Sequence, residues 1–395
     1  MRKEKEISFY CGESFESQYN SKDYKSFYYK GNWNKQFLNN AIDVAIKRHI
    51  SIYDVLPQIY ENKKEHFPNR LVKFFPMNIN SLKCVENDSI YLNEPCYFND
   101  PYDCLLCTNK DSFLKDYVLK NISTENNNVS QAEYDEISHS VTYDTDKKLM
   151  WNRPEMFSSV ILYISSNNVY IKKIYSEAKV ILSDSLSRLK RKVPVRVASF
   201  AYLDEIKLKT YMEMWGHYAE SSKGFCVEYN FNNIWENALK NLEIRKIVSE
   251  LHPCQYLSKP KQIPKAIMKK YALSLPMTVT EKAKFERCIL ENFITKSSAW
   301  SYENEWRLVV EKNYCDIYNN LIPFPFISKI YLGCNMPNDN REYMYRLATR
   351  KGIKLFQMNL RNDSYELDDT EVDCYRYFED TKWIQSAKLN KMSGI

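Results

Sequence analysis

The sequence of 395 residues predicts an α+β protein: a mixed, largely antiparallel sheet flanked by long helices, with a helical N-terminal extension. Three observations carry this expectation. Short runs such as "RLVKFF" and "FCVEYNF" alternate or concentrate apolar residues as strands do. Longer stretches such as 33–49 and "DNREYMYRLATRKG" repeat apolar residues at helical spacing. The strands are scattered between the helices, and no internal repeat is present.

Taken in order, Trp33, Phe37, Ala41, Val44, Ala45 and Arg48 recur at helical spacing. A second helix is expected over 51–66, with Pro57 as its start or a kink. Residues 70–75 form a strand bounded by Pro68 and Pro76, followed by a short helix and a strand centred on Tyr91. "YFNDPYD" is a loop, since the residue before a proline avoids the helical region and Asp favours a local turn. Residues 110–150 are polar and helix-prone, with a loop at "STENNNVSQ", and a long helix runs from about 154 to 192. "VPVRVASFAY" alternates as a strand. "EIKLKTYMEMWGHYAESSKG" reads as one helix with Leu208, Tyr211, Trp215 and Tyr218 on a stripe and Gly224 as its stop. In "FCVEYNF" Phe225, Val227, Tyr229 and Phe231 share one face, and Cys226, Glu228 and Asn230 the other. Residues 232–299 are mostly helical and basic, interrupted by Pro253, Pro260, Pro264 and Pro276; "YENEWRLVVE", "ISKIYLGC", "IKLFQMNL" and "SYELDD" supply the remaining strands. The expected organisation is a helical extension over 1–66, a main domain over 67–370 with helical inserts near 110–192 and 232–299, and a tail over 371–395 that is acidic, then basic.

Composition narrows the function classes. Hydrophobic residues at 44% and aromatics at 14% suffice for a core. There is no run of eighteen apolar residues, so no membrane helix is expected. "MRKEKEISFY" turns charged too early for a secretory signal, which predicts a cytoplasmic protein. Eleven irregularly spaced cysteines fit reduced thiols in that compartment. Seven glycines, with neither G-x-G-x-x-G nor a P-loop, exclude the usual phosphate cradles. No G-x-S-x-G elbow is present for a serine hydrolase. The net charge of +6 is uneven. Residues 363–380 hold eight acidic residues against Arg376, so that stretch carries −7 and the remainder +13. That basic remainder fits either solvated helix faces or a polyanionic partner.

Three constellations carry chemistry. In "WSYENEWRLV", strand periodicity puts Glu303, Glu305 and Arg307 on one face at intervals of about 7 Å. They are either a carboxylate pair that polarises a hydroxyl or stabilises a cation, or the solvated face of an edge strand with Arg307 as counter-ion. In "MWGHYA", His217 lies off the Leu208–Trp215 stripe and is either an acid/base group or a helix histidine satisfied locally. "FNDPYD" either presents Asn99, Asp100 and Asp103 to a ligand or metal, or is only a turn. Cys104 and Cys107 form a lone C-x-x-C, and the lack of a second pair speaks against zinc; no metal is expected.

Taken together, "VKFF", "IYLNEPCYFNDPYD", "MWGHYAESSKGFCVEY", "SAWSYENEWRLV" and "ISKIYLG", in this order over roughly 70–368, resemble a bacterial family known as domain of unknown function 2971. The resemblance implies a cytosolic protein of microbial conflict or phage defence. The element order is also similar to an ADP-ribosyltransferase fold. That likeness implies Lys73 on the first strand, Ser199 at the start of the second, Glu305 as the carboxylate that holds a ribose hydroxyl, and Glu303 as its partner. Lys73 and Arg70 stand where such a strand carries His or Arg.

The first expectation is therefore an NAD-consuming effector, an ADP-ribosyltransferase or NAD glycohydrolase, with NAD as substrate. In it Trp215 or Tyr218 stacks on a ring of the dinucleotide, His217, Asn99 and Arg307 contact phosphate or ribose, and Asp100 joins the binding loop. The second is a nucleic-acid-binding or nuclease effector using Asp100, Asp103, Glu303 and Glu305 as metal carboxylates. The third is a non-enzymatic sensor or adaptor that recruits a partner protein through its N-terminal helices.

Overall fold

The computed structural model describes residues 33–125, 141–143, 149–151, 168–191 and 194–373. The start of the predicted extension, residues 126–131 of the loop expected at 123–131, the first part of the 154–192 helix and the end of the tail lie outside these residues, and the first three residues of that loop instead end the helix Lys110–Glu125. The architecture is α+β, with a large, mostly antiparallel sheet between helices.

The chain begins with α1 (Trp33–Arg48), whose Phe37, Leu38, Ala41, Ile42 and Ala45 are buried. The helix expected over 51–66, with Pro57 as its start or a kink, is instead one helical turn, Ile52–Val55, and two 3₁₀ turns, Leu56–Gln58 and Tyr60–His66. Pro57 lacks the N–H that an α-helix would need there. Next come β1 (Arg70–Phe75), α2 (Ile79–Glu86) and β2 (Ser89–Tyr91). They are followed by α3 (Lys110–Glu125), the two-stranded ribbon β3 (Val141–Tyr143) and β4 (Leu149–Trp151), and α4 (Asn168–Arg191). The ribbon falls in a stretch whose polarity suggested helix with one loop.

After β5 (Val195–Ala201), the single helix expected up to Gly224 is broken into α5 (Glu205–Thr210) and α6 (Met212–Tyr218). The cause is Trp215. Its indole N–H donates to the Leu208 carbonyl at 2.9 Å, an acceptor that a continuous helix would give to the amide of residue 212. Three left-handed residues, Glu220, Ser221 and Ser222, then turn the chain into β6 (Phe225–Asn230). At the turn, a Cβ on Gly224 would lie 2.0 Å from the Phe75 carbonyl oxygen. Gly224→Ala therefore forces the end of β1 away from this turn, and we expect a loss of about 1–3 kcal/mol in urea unfolding; an unchanged midpoint would contradict this packing.

The chain continues through α7 (Ile234–Lys240), α8 (Leu242–Glu250), β7 (Leu251–Pro253), β8 (Gln255–Leu257), α9 (Lys265–Ala272) and α10 (Val279–Phe293). A reciprocal capping box between Thr278 and Glu281 starts α10. Then come β9 (Thr295–Ser297), β10 (Glu305–Glu311), β11 (Leu321–Pro323), β12 (Ile327–Leu332), α11 (Asn338–Lys351), β13 (Lys354–Leu360) and β14 (Leu367–Glu371). Left-handed Gly352 ends α11.

Eight strands form one sheet in the order β14-β13-β12-β6-β1-β5-β10-β7. One face buries Leu71, Phe75, Phe200, Val227, Tyr229 and Trp306. The opposite face divides. Val72, Phe74, Ala201, Trp215 and Cys226 cluster at one end, and Val195, Val197 and Val309 pack against residues of α1, α3, α4 and α10 at the other. Among the described residues, no helix is long and apolar enough to cross a membrane.

The register of β1 and β5 positions the site. β1 pairs with β6 along its whole length but with β5 only at Val72↔Ala201. Beyond that pair the open edge of β5 is filled in other ways. The Lys73 ammonium donates to the Ser199 carbonyl at 2.8 Å, and Asn93 exchanges two backbone bonds of 2.9 Å with Val197. A cleft opens where the two strands part.

Residues 33–66 dock on the far end of the sheet. Lys63, fully buried, donates to the carbonyls of Val248, Ser249 and Leu251 at the end of α8. Beside it, Glu250 pairs with Lys246 at 2.6 Å, but burial outweighs that partner and pushes its carboxyl up to about 7. A carboxyl raised from 4.5 takes up a proton in the folded state first. Glu250 therefore destabilises the protein above pH 7, and this cost fades as pH falls toward 4.5. Glu250→Gln should narrow the difference in stability between pH 5 and pH 8; an unchanged difference would contradict the shift.

Candidate active site

The cleft has a volume of about 480 Å³, within the range of small-molecule sites. β1 and β5 supply one wall through Val72, Lys73, Val197 and Ser199, and α6 supplies another through Met214, His217 and Tyr218. The segment after β2 contributes Asn93, Tyr97, Phe98, Asn99 and Asp103. Lys296, Glu303 and Glu305 lie at the buried end, 7%, 2% and 4% exposed.

Glu303 is not on the strand, as its spacing suggested. It ends a 3₁₀ turn, Ser298–Glu303, and left-handed Asn304 then reverses the chain into β10. Nor is β10 an edge strand, because it lies between β5 and β7. The two carboxylates meet through a residue the spacing did not reveal. Lys296, on β9, donates to Glu303 Oε2 at 2.5 Å and to Glu305 Oε2 at 2.9 Å. Glu303 Oε1 accepts from the Tyr218 hydroxyl at 2.6 Å. Glu305 also accepts from Arg307 Nε at 2.7 Å and is hydrogen-bonded by Ser199. Tyr256 lends its hydroxyl oxygen to the Glu305 backbone N–H at 2.8 Å.

These surroundings drive the two carboxyls apart. Burial pushes Glu305 up, but Arg307, then Lys296, outweigh it and hold the group well below the usual carboxylate range. Burial, then the charge of Glu305, push Glu303 up; Lys296 and Tyr218 offset this only in part. Burial works against the Lys296 ammonium, yet Glu305 and Glu303 raise its pKa above the ordinary lysine value. The buried end of the cleft thus holds one carboxylate fixed as an anion beside one that readily takes a proton, a division that suits acid/base work.

The structure brings Glu303, Glu305, His217, Lys73, Asn99, Ser199 and Tyr218 to the cleft. It places three other predicted residues elsewhere. Trp215 is fully buried, edge-on to Phe74, with its N–H spent on Leu208, so it offers no stacking face to a ligand. Arg307 is fully buried and does not contact the cleft. It binds Glu305, grips both oxygens of Asp103 at 2.8 and 2.7 Å, and donates to the Phe293 carbonyl. It orients carboxylates and has no fork left for a phosphate. Asp100 accepts from the Tyr102 amide at 2.8 Å and the Trp300 indole at 2.9 Å, and so closes the Asx turn beside the cleft.

Asp103, Glu303 and Glu305, candidates for metal carboxylates, are each matched to a cation of the protein, and Asp100 to an indole. Among the described residues, no group of three His, Cys, Asp or Glu side chains is placed to hold a metal. Lys296 left one faint signal in the sequence: a single positive charge just after Phe293 and Ile294 and shortly before the two glutamates.

No curated protein and no solved structure matches the chain. Residues 214–308 match a family model described as Protein of unknown function (DUF2971), and they contain His217, Tyr218, Lys296, Glu303, Glu305 and Arg307. Over this part, which carries the buried end of the cleft, the chain is similar to the DUF2971 family.

Proposed function

We propose that the cleft cleaves the nicotinamide–ribose bond of NAD, as a glycohydrolase or by transfer of ADP-ribose to an acceptor. One observation carries this reading: two adjacent carboxylates at the buried end of a cleft, one held ionised and the other raised. As the C1′–N bond breaks, its electron pair leaves with nicotinamide and the ribose becomes an oxocarbenium ion. Glu305, fixed by Arg307 and Lys296, stabilises that cation and accepts from a ribose hydroxyl. Glu303 takes the proton of the water or acceptor hydroxyl that attacks C1′. Lys73 and Asn99, on the cleft wall, face the phosphates and the second ribose. Cytoplasmic phage defence, which the sequence resemblance implies, is a setting in which NAD consumption has an effect.

Incubating the purified chain with NAD and following free nicotinamide tests the reading. Release that scales with protein is expected. No release from folded protein, with water or with offered protein acceptors, overturns it.

A further inference from the structure

The segment after β2 is tied to the rest of the site at four points. Asn93 pairs with Val197, and Glu94 binds Arg196 at 2.8 Å. Asp100 accepts from Trp300, and Asp103 is gripped by Arg307, whose guanidinium also lies over the Phe98 ring at 5.5 Å. A loop fixed so firmly still holds the Tyr97 ring 77% exposed on the cleft wall. Exposed single aromatics are common on protein surfaces, but this one lines the cleft whose buried end holds the carboxylates. Lys73 lines the same cleft, and its contact with Ser199 uses one of three ammonium hydrogens.

Resting on the NAD reading above, we propose that Tyr97 is the platform on which the adenine of the substrate stacks. The reacting ribose enters the buried end, the diphosphate passes Lys73, and the adenosine half emerges at the rim. The specificity this confers is for a nucleotide that carries a base, over a bare ribose phosphate. Trp215 and Tyr218, the aromatics the sequence suggested, do not fill this role. The first is buried, and the second spends its hydroxyl on Glu303 at the deep end.

Binding of ADP-ribose and of ribose 5-phosphate to the full chain, measured by calorimetry, tests the proposal without turnover. Tyr97→Ala should weaken ADP-ribose by about tenfold or more, the scale of one base–aromatic stack, and leave ribose 5-phosphate unchanged. Tyr97→Phe should restore ADP-ribose binding. Equal affinity of wild type and Tyr97→Ala for ADP-ribose overturns the proposal, as does an equal loss for both ligands or no binding of ADP-ribose to the wild type. The two readings fail separately. Tyr97-dependent binding of ADP-ribose without any nicotinamide release leaves the platform standing and removes the reaction.

Discussion

Replacing Arg307 with alanine should destabilise the protein by about 3–5 kcal/mol, the cost of removing one partner from a buried ion cluster. The guanidinium is wholly buried, and its two carboxylate partners, Asp103 and Glu305, have side chains only 4% exposed. Both would be left without their shared counter-ion, and the Phe293 carbonyl would lose its donor. Glu305 would keep Lys296, but Asp103 has no second cation in this cluster. Arg307→Lys should recover only part of the loss, because one ammonium cannot reproduce a fork on Asp103 and a bidentate grip on Glu305. Urea unfolding of the three proteins reads this directly. A loss below about 1 kcal/mol in Arg307→Ala would mean that water reaches the cluster, contrary to its burial.

The same residue shows what the sequence could and could not convey. Strand periodicity correctly placed Glu305 and Arg307 on one face of β10, and β6 divided its residues between the two faces as its alternation required. Periodicity carries no information on what lies across from a face. So Arg307 looked like a solvent-side counter-ion or a phosphate ligand, and its partnership with Asp103, 204 positions away, was hidden. Local rules also failed where tertiary contacts displaced them. The α5–α6 break depends on an indole capping a carbonyl, and Glu303 left the strand because Asn304 adopts a left-handed conformation. Lys296 was missed because a lone lysine in a mixed polar and apolar stretch, "ENFITK", carries no periodic signal of burial. The cleft itself follows from β1 and β5 meeting at one residue pair, a matter of register between strands more than a hundred residues apart.

Glu305→Gln should lower the rate of nicotinamide release by about 100- to 1,000-fold, the usual effect of losing one pre-oriented group that stabilises transition-state charge. The amide keeps the shape of the side chain but cannot neutralise an oxocarbenium ion. Its effect on folding should be smaller than that of Arg307→Ala, because Lys296 retains Glu303 and Arg307 retains Asp103. The pH profile gives a second, independent signature. Glu303 must be ionised to take a proton, so wild-type release should rise with pH through an apparent pKa above the ordinary carboxylate value. After burial, the charge of Glu305 is the largest cause of that elevation. Removing it leaves only burial to oppose Lys296 and Tyr218 at Glu303, and the residual rise in rate should move to lower pH. Glu303→Gln should abolish the rise altogether. An unshifted profile in Glu305→Gln would mean that the two carboxylates do not sense one another, and the acid/base division between them would fall. A shift to lower pH together with the loss of rate would tie both effects to a single charge, held in the cleft by Arg307 and Lys296.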